Sequence, residues 1–156
     1  MRVNISARTE YAIRALLSLT SAQVAGTTTV SAESLANAQG LPRKFLEAIL
    51  LDLKRGGLVI SRRGSSGGYQ LNGQASEITL GSVVRAVDGP LAEVRGARPQ
   101  DAAYDGDARH LPVVWVALRA SIRQVLDEVT LLDVVTGELP EHVSALADQP
   151  DAWRNR

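Results

Sequence analysis

A mainly α-helical fold with one small β-hairpin is predicted by three observations. Two short helical patterns flank a turn at Gly40, the second of them opening Pro42-Arg43-Lys44. Two short strand patterns, Leu58-Val59-Ile60-Ser61 and Tyr69-Gln70-Leu71, flank the glycine-rich turn Arg62-Arg63-Gly64-Ser65-Ser66-Gly67-Gly68. Further on, Leu111, Trp115, Leu118, Ile122, Val125 and Val129 alternate spacings of four and three, the mark of one long helix with an apolar seam. The 156 residues suffice for one compact core with a helix or two appended, and are few for two independent domains.

Each element has a local cause. Ser6 is placed to cap a first helix whose inward face is Ala12, Ile13, Leu16, Leu17 and Leu19, ending before the polar stretch Gln23 to Thr29. Ser31 caps a second, short helix with Glu33 in its first turn, Leu35 and Ala36 inward, and Gly40 as a left-handed stop. Pro42 suits the first position of a third helix, where its missing N–H costs nothing, and Phe45, Leu46, Ile49, Leu50 and Leu53 form its apolar face up to Gly56-Gly57. Together with the hairpin, these helices form a winged helix-turn-helix, the alternative being an ordinary helical hairpin. The glycine-rich turn is not a nucleotide loop, because no Gly-Lys-Ser/Thr follows and no helix begins there. Its two arginines are suited to a narrow minor groove or to phosphates.

Thr79 caps a fourth helix bearing Leu80, Val83, Val84 and Val87, stopped by Gly89-Pro90. A polar loop, 91–110, leads to the long helix, 111–129, about 28 Å in length at about 1.5 Å per residue. Its seam packs either on the chain's own core or on a second subunit, and Val113, Val114 and Val116 widen the apolar surface enough for both. Thr130, with Asp133 three residues on, caps a last short helix through Val135. The organisation expected is a DNA-binding winged helix-turn-helix domain over 1–75, a dimerisation region over 76–137, and a polar, partly mobile tail over 138–156.

Composition narrows the function. The net charge is zero, but residues 1–75 hold nine Lys/Arg against four Asp/Glu, and residues 76–156 hold eight against thirteen. The first half is therefore the candidate face for double-stranded DNA. The chain has no cysteine and two histidines, His110 and His142, so thiolate metal sites, disulfides and a histidine-only zinc centre are excluded and no cofactor or metal is expected. No apolar run is long enough to span a bilayer, and Met1-Arg2-Val3-Asn4 opens without a secretory signal, so a cytoplasmic protein is expected. No nucleophile–base pair or phosphate cradle stands out, and an enzyme is not expected.

Taken together, Glu10-Tyr11-Ala12-Ile13-Arg14-Ala15-Leu16, the run Pro42 to Leu58 with Phe45-Leu46-Glu47 inside it, Arg63-Gly64-Ser65-Ser66-Gly67-Gly68-Tyr69, Ile78-Thr79-Leu80 and Trp115 resemble the winged-helix repressors typified by IscR, NsrR and CymR. The resemblance covers most of the chain. It implies a homodimer joined through the long helices at Leu111, Trp115, Leu118, Ile122, Val125 and Val129, with a recognition helix in each major groove and a wing in the adjacent minor groove. It places Arg43, Lys44 and Glu47 at the base-reading end of the recognition helix; Lys54 and Arg55, by their position at its far end, are expected against phosphate. On the wing it assigns DNA contact to Arg63 and Tyr69, with Arg62 and Ser65 beside them. Glu47 is either an acceptor from cytosine, an orienter of a neighbouring base-reading side chain, or an ordinary surface charge.

One departure is large. Relatives that hold an iron–sulfur cluster carry three cysteines in the loop before the long helix, where this chain reads Arg95-Gly96-Ala97-Arg98-Pro99 through Tyr104 to His110. Glu10 lies where a relative supplies a carboxylate ligand, yet one carboxylate and one imidazole are a poor metal site, and a local role for each is the alternative. Glu10, Arg95, Arg98, Tyr104 and His110, with Trp115, are candidates for a small-molecule or protein effector site, or form an ordinary surface loop. The function expected is an operator-binding transcriptional regulator of repressor type, acting as a homodimer on a palindromic operator in response to a signal other than a cluster. A protein-interaction module that docks a partner enzyme through the acidic C-terminal half is the alternative.

Overall fold

The computed structural model describes residues 4–154. The expectations for Met1–Val3 and for the last two residues of the tail lie outside the described residues. In chain order the elements are α1 (Ala7–Val24), α2 (Ala32–Gln39), α3 (Arg43–Arg55), β1 (Val59–Arg62), β2 (Gly68–Leu71), α4 (Leu80–Val87), α5 (Leu111–Leu126), α6 (Leu131–Thr136) and α7 (Glu141–Ala147). The fold is thus mainly helical with one two-stranded antiparallel sheet.

The helix starts follow from side-chain chemistry. The hydroxyls of Ser6, Ser31, Thr79 and Thr130 each accept a hydrogen bond from the backbone N–H three residues on, satisfying a donor that the first helical turn leaves unpaired. At Thr130 the exchange is reciprocal, with Asp133 accepting from the Thr130 N–H at 2.8 Å. Gly40, at φ 63°, ends α2 in the left-handed conformation. Pro42 stands one position earlier than expected, as the residue before α3.

Helix α1 is the central element, and α2, α3, α4, α6 and β2 all pack on it. Its inward face, Ala12, Ala15, Leu16 and Leu19, is buried against Leu35, Leu46, Ile49, Leu50, Leu53, Val59, Val83 and Leu131. Leu131, Ile78 and Val83 lie beyond residue 75, so one apolar core draws on both sides of that position. The entries of α4 and α6 are stitched together: Leu80 N–H donates to the Val129 carbonyl and Leu131 N–H to the Ile78 carbonyl, both at 2.9 Å.

The long helix differs from the expectation in its end. It stops at Leu126, with Asp127 following as its C-terminal cap, rather than at residue 129. Val129 is 3% exposed and holds the start of α4, so it belongs to the chain's own core and leaves the proposed seam. Within the tail, α7 meets the end of α5 through His142, whose Nε2 lies 2.8 Å from the Gln124 carbonyl. No helix among the described residues is long and apolar enough to cross a membrane.

Two polar ties hold α1 in register with its neighbours. Arg8 Nε donates to the Asp52 carboxylate on α3 at 3.1 Å. Ser6 Oγ donates to Asp88 Oδ1 at 2.7 Å, joining the start of α1 to the end of α4. Partial burial pulls the Asp88 carboxyl upward, but the donors around it win, and its pKa is held below the ordinary carboxylate value. Those donors are the Ser6 hydroxyl and N–H and the Arg8 charge, joined by the Thr9 hydroxyl, which faces the carboxylate outside ordinary hydrogen-bond geometry.

A carboxyl depressed in the folded state contributes stability that is present above its unfolded pKa, about 3.9, and is lost as pH falls through the lower folded value. Asp88→Asn is therefore expected to be less stable than the parent near neutral pH, with the difference shrinking between pH 5 and pH 3. Urea unfolding at a series of pH values measures it; an Asp88→Asn penalty unchanged from pH 7 to pH 3 contradicts this account.

Candidate nucleic-acid interface

Helix α3 buries Leu46, Ile49, Leu50 and Leu53 and so turns Arg43, Lys44, Ala48, Leu51, Lys54 and Arg55 outward, with Glu47 at the edge. Phe45, expected on the apolar face, is 38% exposed and meets the Tyr11 ring edge to face at 6.1 Å between centroids. Arg43 Nε donates to Glu47 Oε1 at 2.8 Å, one helical turn away.

The far end of α3 meets the hairpin. Lys54 Nζ donates to Ser61 Oγ on β1 at 2.7 Å, placing that ammonium between helix and wing. The strands pair Val59 with Leu71, Ile60 with Gln70, Ser61 with Tyr69 and Arg62 with Gly68. Across this ladder Arg62 Nε donates to Gln70 Oε1 at 3.0 Å, which holds its guanidinium along the sheet. Arg63 and Ser65, in the turn beyond, are exposed. Among the described residues no hydrogen bond or ion pair engages the side chains of Lys44, Arg55 or Arg63. They are cations without a partner among the described residues.

A third segment that the sequence reading missed fixes the wing to the helices. Val30, just before α2, exchanges two backbone hydrogen bonds with Tyr69, at 2.9 and 2.8 Å, and Thr29 Oγ1 donates to the Ser66 carbonyl at 2.9 Å. The β-branched run Thr27-Thr28-Thr29-Val30 was the available signal. The close approach explains one glycine: Gly68 has φ 150°, and a Cβ there would collide with the Val30 carbonyl. Tyr69 is half-buried in consequence, and its backbone serves both neighbours.

The loop before α5 is folded. Arg95 (φ 55°) and Gly96 (φ 77°) make a tight turn between Val94 and Ala97, which bond to each other in both directions. Trp115 Nε1 donates to the Tyr104 hydroxyl at 3.3 Å, bringing those two candidates together. The others are not joined to them by hydrogen bonds or ion pairs: Glu10 lies 3.5 Å from Arg14 on its own helix, and His110 Nε2 accepts from Arg109 at 3.1 Å. Arg98 lines a separate groove with Arg85, Arg119 and Arg123.

Helix α5 has no fully buried residue within the single chain. Trp115 and Ile122 turn toward the chain's own loop and α4. Val113, Val114 and Leu118 are 69%, 53% and 37% exposed and occupy its outer face.

Comparison with known proteins gives a consistent identity. The Rrf2 family model, described as an iron-dependent transcriptional regulator, matches residues 5–137. Rv1287 of Mycobacterium tuberculosis (strain ATCC 25618 / H37Rv), an HTH-type transcriptional regulator by name, is 49% identical over 146 residues, covering 94% of this chain and 89% of that protein. The HTH-type transcriptional regulator CymR of Bacillus subtilis is 31% identical over 134 residues, covering 86% and 91%. Among solved structures, CymR, the global cysteine regulator of B. subtilis, superposes with a TM-score of 0.73 at 27% identity, covering 87% of this chain and 98% of that one. IscR of T. potens superposes with 0.66 at 29% identity, covering 86% and 88%.

The residues present do not fit an iron–sulfur cluster, since the chain has no cysteine and no three His, Asp or Glu side chains among the described residues converge on a metal position. Its fold, its wing and its relatives agree on the rest: the chain belongs to the Rrf2 family of helix-turn-helix transcriptional regulators.

Proposed function

We propose that this regulator is a homodimeric repressor that binds a palindromic operator in the cytoplasm, and that its signal acts through the loop before α5 rather than through a cluster. The observation that carries the reading is the continuity of α3 with the wing: the Lys54–Ser61 hydrogen bond joins a helix with an outward basic edge to a hairpin that presents Arg62 and Arg63. In this reading Arg43, Lys44 and Glu47 face base edges, Arg63 enters the minor groove beneath the wing, and Lys54, Arg55, Arg62, Ser65 and Tyr69 serve the backbone.

Dimerisation supplies the second half-site. The outer face of α5, with Leu118 at its centre and Val113 and Val114 beside it, is the surface that a second copy would cover. Leu111 and Val125 flank that face in the original seam, whereas Trp115 and Ile122 support the helix from within the chain. Two ties connect the loop to the DNA-reading helix. Ser6–Asp88 joins the end of α4 to α1, and Arg8–Asp52 joins α1 to α3, so a displacement of α4 is passed to the recognition helix by polar contacts. The docking-module alternative gains nothing from the relatives, which are regulators of transcription.

Three behaviours separate the DNA roles. Glu47→Ala, which frees Arg43, is expected to re-rank operators at one symmetric position by about 1–3 kcal/mol while leaving non-specific binding nearly intact. Arg63→Ala is expected to weaken binding and relax preference for an A·T-rich step under the wing. Arg55→Ala is expected to weaken all sequences alike and to shallow the salt slope by about one unit. Titrations on a panel of symmetric duplexes at several salt concentrations distinguish them; a Glu47→Ala loss equal for every duplex overturns the recognition-helix assignment. The dimer has its own test. The parent is expected to sediment as a dimer at micromolar concentration and Leu118→Glu as a monomer, because a carboxylate there would be buried unpaired at a cost of several kcal/mol. A parent monomer, or a Leu118→Glu dimer of parental affinity, contradicts the proposed interface.

A further inference from the structure

The C-terminal half is acidic, yet four of its eight basic residues converge on one groove. Arg85 comes from α4, Arg98 from the loop, and Arg119 and Arg123 from successive turns of α5. The groove measures about 1020 Å³ and opens to solvent, enough for a ligand of metabolite size. Asp127 takes Arg85 on one carboxylate oxygen at 2.6 Å and Arg123 on the other at 3.1 Å, which fixes both guanidinium groups on the groove wall. Arg119 is steadied by the Gln100 side chain, and the Arg98 side chain has no hydrogen bond or ion pair among the described residues. Against the four guanidinium groups stand two carboxylates, Asp127, which pairs with two of them, and Glu93, which lines the groove, leaving an excess of two positive charges.

Guanidinium groups gathered in this way repel one another, and a partner of opposite charge relieves the repulsion. Ordinary solvated arginines do not require the convergence of three separate segments. Arg95 and Arg109, from the same stretch of chain, stand elsewhere: Arg95 at the tip of the tight turn, and Arg109 against His110 and the Gly106 carbonyl. Arginine's planar fork is the side chain best matched to oxyanions with two or more acceptor oxygens.

We propose that this groove binds a small multivalent oxyanion, a phosphate-bearing compound or a polycarboxylate, held by Arg98 and Arg119 with Arg85 and Arg123 completing the positive wall. Such a ligand spans the loop, α4 and α5, and so ties together the elements that the proposed signal route begins with. The inference rests on the regulator reading for its biological purpose, while the binding itself is independent of DNA.

The test is calorimetric titration of the 156-residue chain, free of DNA, with pyrophosphate and, separately, with citrate, ionic strength being held constant with sodium chloride. At least one probe is expected to saturate at one per groove. Its affinity is expected to fall tenfold or more in Arg98→Gln and in Arg119→Gln and to be unchanged in Arg109→Gln. Binding of pyrophosphate alone assigns a phosphate-bearing ligand, binding of citrate alone a polycarboxylate, and binding of both the shared class. Failure of both probes to saturate, or an Arg109→Gln loss as large as that of Arg98→Gln, overturns the proposal. Circular dichroism checks folding, and the exposed, unpartnered Arg98 carries the test if Arg119→Gln does not fold. Operator affinity measured on the same variants separates the two readings: DNA binding with no anion binding removes this inference alone.

Discussion

Helix α1 must accept α2, α3, α4, α6 and β2 at once, and this close approach constrains the whole molecule. It is met by side-chain size. Ala12 and Ala15 are fully buried on its inward face, with Leu16 and Leu19 buried beside them. A larger residue at either alanine would push the helices packed there apart. The polar ties from Ser6 and Arg8 then set the rotation of α1 against α4 and α3. Helix α3, strand β2 and the end of α4 are consequently attached to one element.

Much of this was legible in the sequence because it is local. A hydroxyl three residues before a free backbone N–H is a cap wherever it occurs, and Ser6, Ser31, Thr79 and Thr130 behave so. Gly40 likewise ends α2 for reasons confined to its own backbone. The winged arrangement follows from helix, turn and hairpin signals that do not depend on distant partners.

What escaped the sequence was non-local. Val30 makes a single-residue bridge to Tyr69, too short to leave an alternating pattern. The heptad spacing runs on to Val129, but Val129 is apolar because it lies beneath the start of α4, not because the helix continues. Along α5, likewise, a spacing of three and four does not separate Trp115, which meets Tyr104, from the more exposed Val113, Val114 and Leu118. Arg85, Arg119 and Arg123 carry no local signal that joins them to Arg98, being separated along the chain and united only when α4 and α5 pack. Charge tells the same story: a chain of zero net charge divides into a basic half and an acidic one, and the acidic half in turn contains a basic groove.

The central claim is that two copies of this chain present their recognition helices to successive major grooves on one face of a duplex. Hydroxyl-radical footprinting of the parent on a duplex selected from a random pool tests it most directly. The account predicts two protected blocks related by two-fold symmetry, about one helical turn, 10–10.5 base pairs, or a whole multiple of it apart, on the same face. A single asymmetric block, or selection that yields no preferred duplex, would contradict it.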